Sequence, residues 1–426
     1  MYDICIIGSG IAGKYIAWHL RHKSILWVSG QNPQYQSKGE YKVEQYLGPK
    51  DTWQAYASGL ISFLSTKDLK SFPFHKDQYQ LYQTELLREL KLVNFASFYS
   101  SARYKGFTNT LESIFPESQM HYFWGRQPEN VDTAFQYRED FEKYKKDHQL
   151  LWPFSHDASE YLHAQYFVVS NDKISELVGT DKHGKKISIK AKHFIIACHV
   201  PGSIALLLRT YAFNRIRPHD ALGRYFSDHA QTSLGILLPK TVVPRTTIPA
   251  FCYQDRQYQG IPFRLEFHVA PPIESLIERT RIRLKILSGQ EFTDHFMRLV
   301  VVYNLPPLLG SCLKVRGRDY RQINPSPIFL STFRRQRKVI MSYIRTQFLT
   351  DNRLVLLNRH FPFYFAGHLT GGVTFPEMVN ENLQLHNWPN ISIASTAVFP
   401  SNGLFNPTFT LLACAKHILA SLRGSI

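Results

Sequence analysis

A strand-forming run, Ile4-Cys5-Ile6-Ile7, passes directly into Gly8-Ser9-Gly10-Ile11-Ala12-Gly13, and then into a helical run through Ala17-Trp18-His19-Leu20. A second strand, Ser24-Ile25-Leu26-Trp27-Val28, follows. No other feature constrains the fold as tightly. Strand, GxGxxG, helix, strand at this spacing is the pattern of a dinucleotide-binding unit. The first glycine permits the tight turn, the second lets main chain approach a pyrophosphate, and the third lets helix and strand pack closely. The helix N-terminus then faces the phosphates. Gly8, Ser9, Gly10, Ile11, Ala12 and Gly13 are thus candidate cofactor contacts. An acidic residue is expected at the end of the second strand to hold ribose hydroxyls. That place reads Val28-Ser29-Gly30-Gln31, so Ser29 or Gln31 would substitute with neutral hydrogen bonds.

The chain has 426 residues, 44 % of them hydrophobic, which is ample for a folded core and for more than one domain. Its net charge of +17 bears on partners and solubility, not on fold. No zinc-ligand spacing, aromatic RNA-binding pattern or basic zipper accompanies that charge, so nucleic acid is not an expected partner. An acidic or lipid-linked small molecule, or association with an anionic membrane surface, stays open. The five cysteines are scattered and odd in number, with no CxxC pair, which argues against a disulfide framework or a metal site and for a reducing compartment. With no leader-like segment after Met1 and no long apolar run, a cytoplasmic location is the expectation.

Further along, 32–53 reads as loop, Leu81 to Leu92 as a leucine-bearing helix, and 139–146 as a charged helical face. His121-Tyr122-Phe123-Trp124-Gly125-Arg126 is an aromatic cluster, and Trp152-Pro153-Phe154-Ser155 marks a break before a helix around Ala158 to Leu162. Tyr166-Phe167-Val168-Val169 and Ile174 to Val178 read as paired strands, with a turn at 182–185. Phe194-Ile195-Ile196-Ala197-Cys198 is a buried strand feeding a helix at Pro201-Gly202-Ser203. Between 231 and 355 strand-like stretches recur among basic runs at 279–285 and 334–338, which predicts an antiparallel-sheet domain inserted in the first.

Near the C-terminus lie His368-Leu369-Thr370-Gly371-Gly372, a strand at Ile391 to Ser395, and Phe399-Pro400-Ser401-Asn402-Gly403-Leu404-Phe405-Asn406-Pro407-Thr408. By itself this segment is a turn and a capped helix, since Asn is a good N-cap and Pro a good first helical residue. In order, Gly223-Arg224-Tyr225-Phe226-Ser227-Asp228-His229, the His368 turn and the Asn406-Pro407-Thr408 segment accumulate on the N-terminal GxGxxG. In that combination the chain resembles the glucose–methanol–choline oxidoreductases.

The resemblance implies an α/β protein: a Rossmann-like FAD-binding domain over 1–230 and 356–426, with parts of 45–160 in a cap or facing substrate, and a substrate-binding domain over 231–355. It also implies FAD as cofactor and oxidation of a CH–OH group of an alcohol or sugar-like substrate. His368 matches the family's base, and Asn406 the partner that holds the hydroxyl. Val168, Ser395, Thr396, Asn406, Pro407 and Thr408 join Ser29 and the glycine loop as cofactor contacts. The family's aspartate and serine on the strand before the last helix are replaced here by Ser395 and Ala397. A neutral imidazole suits removal of a hydroxyl proton near neutral pH. His199 and His229 are expected to be structural, and no metal is expected. Two alternatives stand beside this reading: a flavin-dependent reductase on the same scaffold, and a family member without activity that acts as a binding protein.

Overall fold

The computed structural model describes residues 1–29, 62–90, 92–94, 96, 109, 120–126, 160–239, 252–269, 292–304, 312–316, 319–324, 327–349, 355–356, 364–365 and 368–422. The loop expected at 32–53, the charged run at 139–146, the break at 152–155 and the basic run at 279–285 lie outside these residues.

Apolar runs and glycine punctuation set the first elements. β1 (Tyr2–Ile7), α1 (Ile11–His19) and β2 (Ile25–Ser29) form the strand–helix–strand unit, and Ile4 to Ile7 are all buried. α2 (Lys76–Glu89) begins before the expected leucine stretch and stops short of Leu92. Leu92–Asn94 is instead a strand paired antiparallel with Trp124–Arg126, so cross-strand pairing overrides the helical period there. β3 (His163–Ser170), β4 (Lys173–Thr180) and β5 (Lys186–Ile189) are the expected meander, and β6 (Ala191–Ile196) is the buried strand after it. α3 (Val200–Phe213) carries proline in its first turn, where a missing N–H costs nothing. Four long strands follow: β7 (His229–Pro239), β8 (Cys252–Tyr258), β9 (Ile261–Val269) and β10 (Phe292–Asn304). After α4 (Pro327–Leu349), β11 (Trp388–Ile393) and α5 (Pro407–Leu422) close the chain.

Two sheets organise these elements. The first runs Gln384–Leu385, β11, β6, β1, β2, Glu160–Tyr161. Its five-strand core from β11 to Glu160–Tyr161 is parallel, with Ile7 opposite both Ile196 and Val28, and Ile196 opposite Ile393. The helix expected around Ala158 to Leu162 is corrected here: Glu160–Tyr161 is a short parallel strand on Val28 and Ser29, and the Leu162 N–H donates to the Ser29 carbonyl at 3.0 Å. Five residues are too few to repay helix nucleation, whereas the open edge of β2 supplies ready partners.

The second sheet is antiparallel and runs Val355–Leu356, β7, β10, β9, β8, His121–Tyr122, with Tyr364–Phe365 also on β7. The mixed α/β architecture expected from the sequence is the one observed. The second sheet recruits two short strands, at 121–122 and 364–365, from outside 231–355. The 334–338 basic run lies on α4, which buries Ile340, Met341 and Ile344 and leaves Arg334, Arg335, Arg337 and Lys338 exposed.

The main core includes the place where α5 packs against α1 and α2. Phe409, Leu412, Ala413, Cys414, Ala415 and Ile418 of α5 are buried. Lys416, on the same helix, is held by Glu89 at 2.7 Å and Glu85 at 2.8 Å, and the Tyr15 hydroxyl donates to Glu89 at 2.6 Å. Cys5, Cys198, Cys252 and Cys414 are free thiols. Among the described residues, no helix is long and apolar enough to cross a membrane, and no group of three His, Cys, Asp or Glu side chains is placed to hold a metal.

Candidate functional site

The carboxyl ends of β1, β6 and β11 lie side by side, the place where open parallel sheets bind ligands. Two hydrogen bonds join them: Ala197 N–H to the Ile7 carbonyl at 2.7 Å, and Ala394 N–H to the Ile196 carbonyl at 2.8 Å. At the end of β1, Gly8 has a φ of +116°, and a β-carbon there would fall 2.4 Å from the Ala197 carbonyl oxygen. At Gly13 a β-carbon would lie 2.1 Å from the Gly8 carbonyl oxygen, so α1 can pack this closely on the turn only as glycine. The Trp27 indole N–H donates to that same Gly8 carbonyl at 2.9 Å and pins the turn to β2.

Gly10 caps α1 in extended conformation with no side-chain cap, and the first turn carries no acid. Its N–H groups are therefore presented to a ligand, with the positive end of the helix dipole behind them. Ser9 Oγ lies 2.8 Å from Ser29 Oγ, so the residue at the place of the usual acid is tied to the glycine loop. This cradle fits an anionic dinucleotide.

The C-terminal segment is stacked on the same edge. Ser227 and Thr370 exchange two main-chain hydrogen bonds of 3.0 Å, which lays the His368 turn against the Asp228-His229 segment. Asp228 Oδ1 accepts from the main-chain N–H of His229 at 2.7 Å and of His368 at 2.8 Å. On the other side, the N–H groups of Val373 and Phe375 each donate at 3.0 Å to the carbonyls of Ala397 and Val398. The Thr396 hydroxyl donates to the Leu369 carbonyl at 2.7 Å, and Ser395 Oγ caps the short 3₁₀ turn by accepting from the Ala397 N–H at 3.2 Å. Ser395 and Thr396 are buried and engaged within the protein.

His368 is partly accessible. Its Nδ1 lies 3.0 Å from His229 Nδ1, and the two rings meet edge to face at 5.2 Å. His229 Nε2 in turn lies 3.0 Å from the Gly403 carbonyl oxygen and 3.2 Å from that of Asn402. Burial pushes the pKa of His368 down to about 4, against a smaller upward pull from Glu266. Burial also pushes His229 down to about 3, helped by His368 and Arg264 and opposed by the two carbonyls. Both imidazoles are neutral near pH 7.

Asn406 stands immediately before α5, with Pro407 and Thr408 as its first helical residues. Its main-chain N–H donates to Ser62 Oγ at 2.8 Å, and that hydroxyl also accepts from Arg264 at 3.1 Å. Arg264 is a buried guanidinium on β9, paired with Asp255 through bonds of 2.7 and 3.0 Å and stacked 3.8 Å over the Tyr253 ring. The antiparallel sheet is thereby wired to the segment that carries Asn406.

The structure thus brings the glycine loop, Ser29, Ser395, Thr396, His368 and the Asn406 segment to one edge of the parallel sheet. Val168 lies in the meander, on β3 opposite Glu176 of β4. Sequence reasoning quoted Asp228 and His229 in a motif but gave His229 only a structural part, yet both contact His368. Asn402, Ser62, Arg264 and Trp27 were missed. Asn402 is fully buried, with neither amide atom hydrogen-bonded among the described residues. Buried polar groups are nearly always partnered, so this amide is a feature that a bound ligand would explain.

No known family model matches the chain, and no curated protein matches it in sequence. Folded, it is an α/β protein with the architecture of a known oxidase. The crystal structure of pyridoxine 4-oxidase from Mesorbium loti is similar over 100 % of this chain and 99 % of that one, with a TM-score of 0.62 and 13 % sequence identity. At that identity the likeness speaks for the fold.

Proposed function

We propose that the protein is an FAD-dependent oxidoreductase that oxidises a CH–OH group of an alcohol or sugar-like substrate. The observation that carries the reading is the position of His368. A partly accessible, neutral imidazole lies on the same sheet edge as an uncapped glycine cradle suited to a dinucleotide. The fold likeness to an oxidase supports it.

FAD, when bound, supplies the two-electron acceptor. The cradle Gly8 to Gly13 binds the pyrophosphate through main-chain N–H groups and the α1 dipole. His368 accepts the hydroxyl proton, and its depressed pKa keeps the lone pair available down to about pH 4. Asn406 orients the hydroxyl from the start of α5. Ser395, Thr396 and Val168 would be among the residues that hold the FAD. The exposed Arg334, Arg335, Arg337 and Lys338 on α4 add to an overall positive field that favours an acidic or lipid-linked substrate.

The test is a visible spectrum of the purified protein, then anaerobic bleaching against a panel of alcohols and sugars, with reduced nicotinamide in a parallel arm. Flavin absorbance that bleaches with an alcohol is the expected result. Bleaching by nicotinamide alone would make the protein a reductase, and absence of flavin together with no FAD uptake would sink the proposal.

A further inference from the structure

A backbone carbonyl can only accept a hydrogen bond. His229 Nε2 faces two of them, those of Asn402 and Gly403, at 3.2 and 3.0 Å. The proton of the neutral His229 ring therefore sits on Nε2, and its Nδ1 is a bare acceptor. The atom 3.0 Å from that acceptor is His368 Nδ1, which must then be the donor. A neutral imidazole carries one N–H. With it spent on Nδ1, the lone pair of His368 is on Nε2, an atom without a hydrogen-bond partner among the described residues.

We infer that His229 is a positioning residue that, held by the Asn402 and Gly403 carbonyls, fixes His368 in the Nδ1–H tautomer, so that Nε2 is the atom that takes the substrate proton. The inference rests on the oxidoreductase reading of the site. The proton balance follows from it. The substrate O–H bond breaks and an Nε2–H bond forms; a bound flavin would supply the acceptor for the hydrogen and two electrons that the carbon loses on becoming a carbonyl. The His368 cation so formed keeps its Nδ1–H on the His229 lone pair. No proton passes further, because His229 Nε2–H is committed to the two carbonyls. Main chain thus does the orienting work that a carboxylate does in a hydrolase triad.

The surrounding charges agree with neutral rings at rest. The carboxylate of Asp228 is turned to the main-chain N–H groups of His229 and His368, at 2.7 and 2.8 Å. Glu266 raises the affinity of His368 for a proton, Arg264 lowers that of His229, and burial outweighs both.

The experiment is histidine ¹⁵N spectroscopy on the flavin-loaded full chain at pH 7, with the His368 signals assigned by their loss in His368→Gln. A protonated, pyrrole-type Nδ1 and a pyridine-type Nε2 on His368 are expected. His229→Leu removes the acceptor, so the tautomer preference should disappear and kcat should fall about 100-fold with KM little changed. His229→Asn offers an amide oxygen to His368 Nδ1, so it should restore the pyridine-type Nε2 and bring kcat back to within about 10-fold of the parent. A pyridine-type Nδ1 in the parent protein would overturn the inference whatever the activity. So would a His229→Leu protein that keeps the Nδ1–H tautomer; should that variant not fold, the parent and His229→Asn spectra decide alone. The expected tautomer in a protein that no alcohol reduces would instead count against the proposed activity, so the two failures are distinct.

Discussion

The two halves of the candidate site are built in opposite ways. The cradle from Gly8 to Gly13 is local: six consecutive residues and the ends of β1 and β2 supply it, through main chain and the absence of side chains. The histidine cluster is assembled from four separate segments, at Ser62, 228–229, 368–370 and 395–406, through side chains and cross-segment hydrogen bonds. On the proposed reading the cradle binds, and it tolerates little because a β-carbon at Gly8 or Gly13 would meet main chain. On the same reading the cluster does the chemistry, through side chains that neighbouring segments hold in place. The difference teaches that binding and reactivity in this protein should be separable by mutation.

The largest effect expected is His368→Ala. Loss of a positioned base should lower alcohol-driven flavin reduction by about 10²–10⁴-fold, while stability and flavin content stay near the parent's. Stopped-flow reduction with an absorbance measure of bound flavin checks both, and a variant stripped of flavin would break the comparison. Gly13→Ala should do the reverse. Its β-carbon would meet the Gly8 carbonyl oxygen at 2.1 Å, so α1 must shift away from β1. A loss of about 2–4 kcal/mol in urea unfolding and a purified protein poor in flavin are expected. A Gly13→Ala protein with normal flavin content would show the cradle to be slacker than its geometry.

The third expectation concerns pH. Burial holds His368, His193 and His199 at about 4 and His229 at about 3 in the folded protein. In the unfolded chain a histidine titrates near about 6.5. Between these values the unfolded state binds more protons, so stability falls as pH drops from about 6.5 towards about 4, by up to about 1.4 kcal/mol per pH unit for each such group. Urea midpoints at pH 7.5 and 5.5 measure this. Equal midpoints would mean that the histidines are open to water, and a His368→Ala background should flatten the slope.

The smallest effect is Lys416→Met, which removes the cation held at 2.7 and 2.8 Å by Glu89 and Glu85 under the parallel sheet. A loss of about 1–2 kcal/mol without change in kcat is expected, because those carboxylates are partly solvated and remote from the cluster. A large change in kcat there would couple scaffold and chemistry more tightly than the structure does.

How much of this was legible follows from the same contrast. The β1–α1–β2 unit, the meander, the buried β6 and the α5 start at Pro407 all read correctly because each depends on a local period or a punctuating Gly or Pro. The stretch at Glu160–Tyr161 and the end of α2 at Glu89 did not, because strand pairing with distant partners decided them. His368 stood out by its glycine-rich turn. His229 carried no such signal: a buried histidine in an aromatic run looks the same whether it packs or orients another ring.

By itself, then, the sequence determined the α/β class and the glycine turn after β1, since backbone geometry at Gly8 and Gly13 is a property of a few adjacent residues. Only tertiary structure decided what stands around His368. The Nδ1-to-Nδ1 contact, the paired carbonyls of Asn402 and Gly403, and the Arg264–Ser62–Asn406 link join residues 139 to 344 positions apart. Such contacts arise from how distant segments pack together, and no local pattern records them.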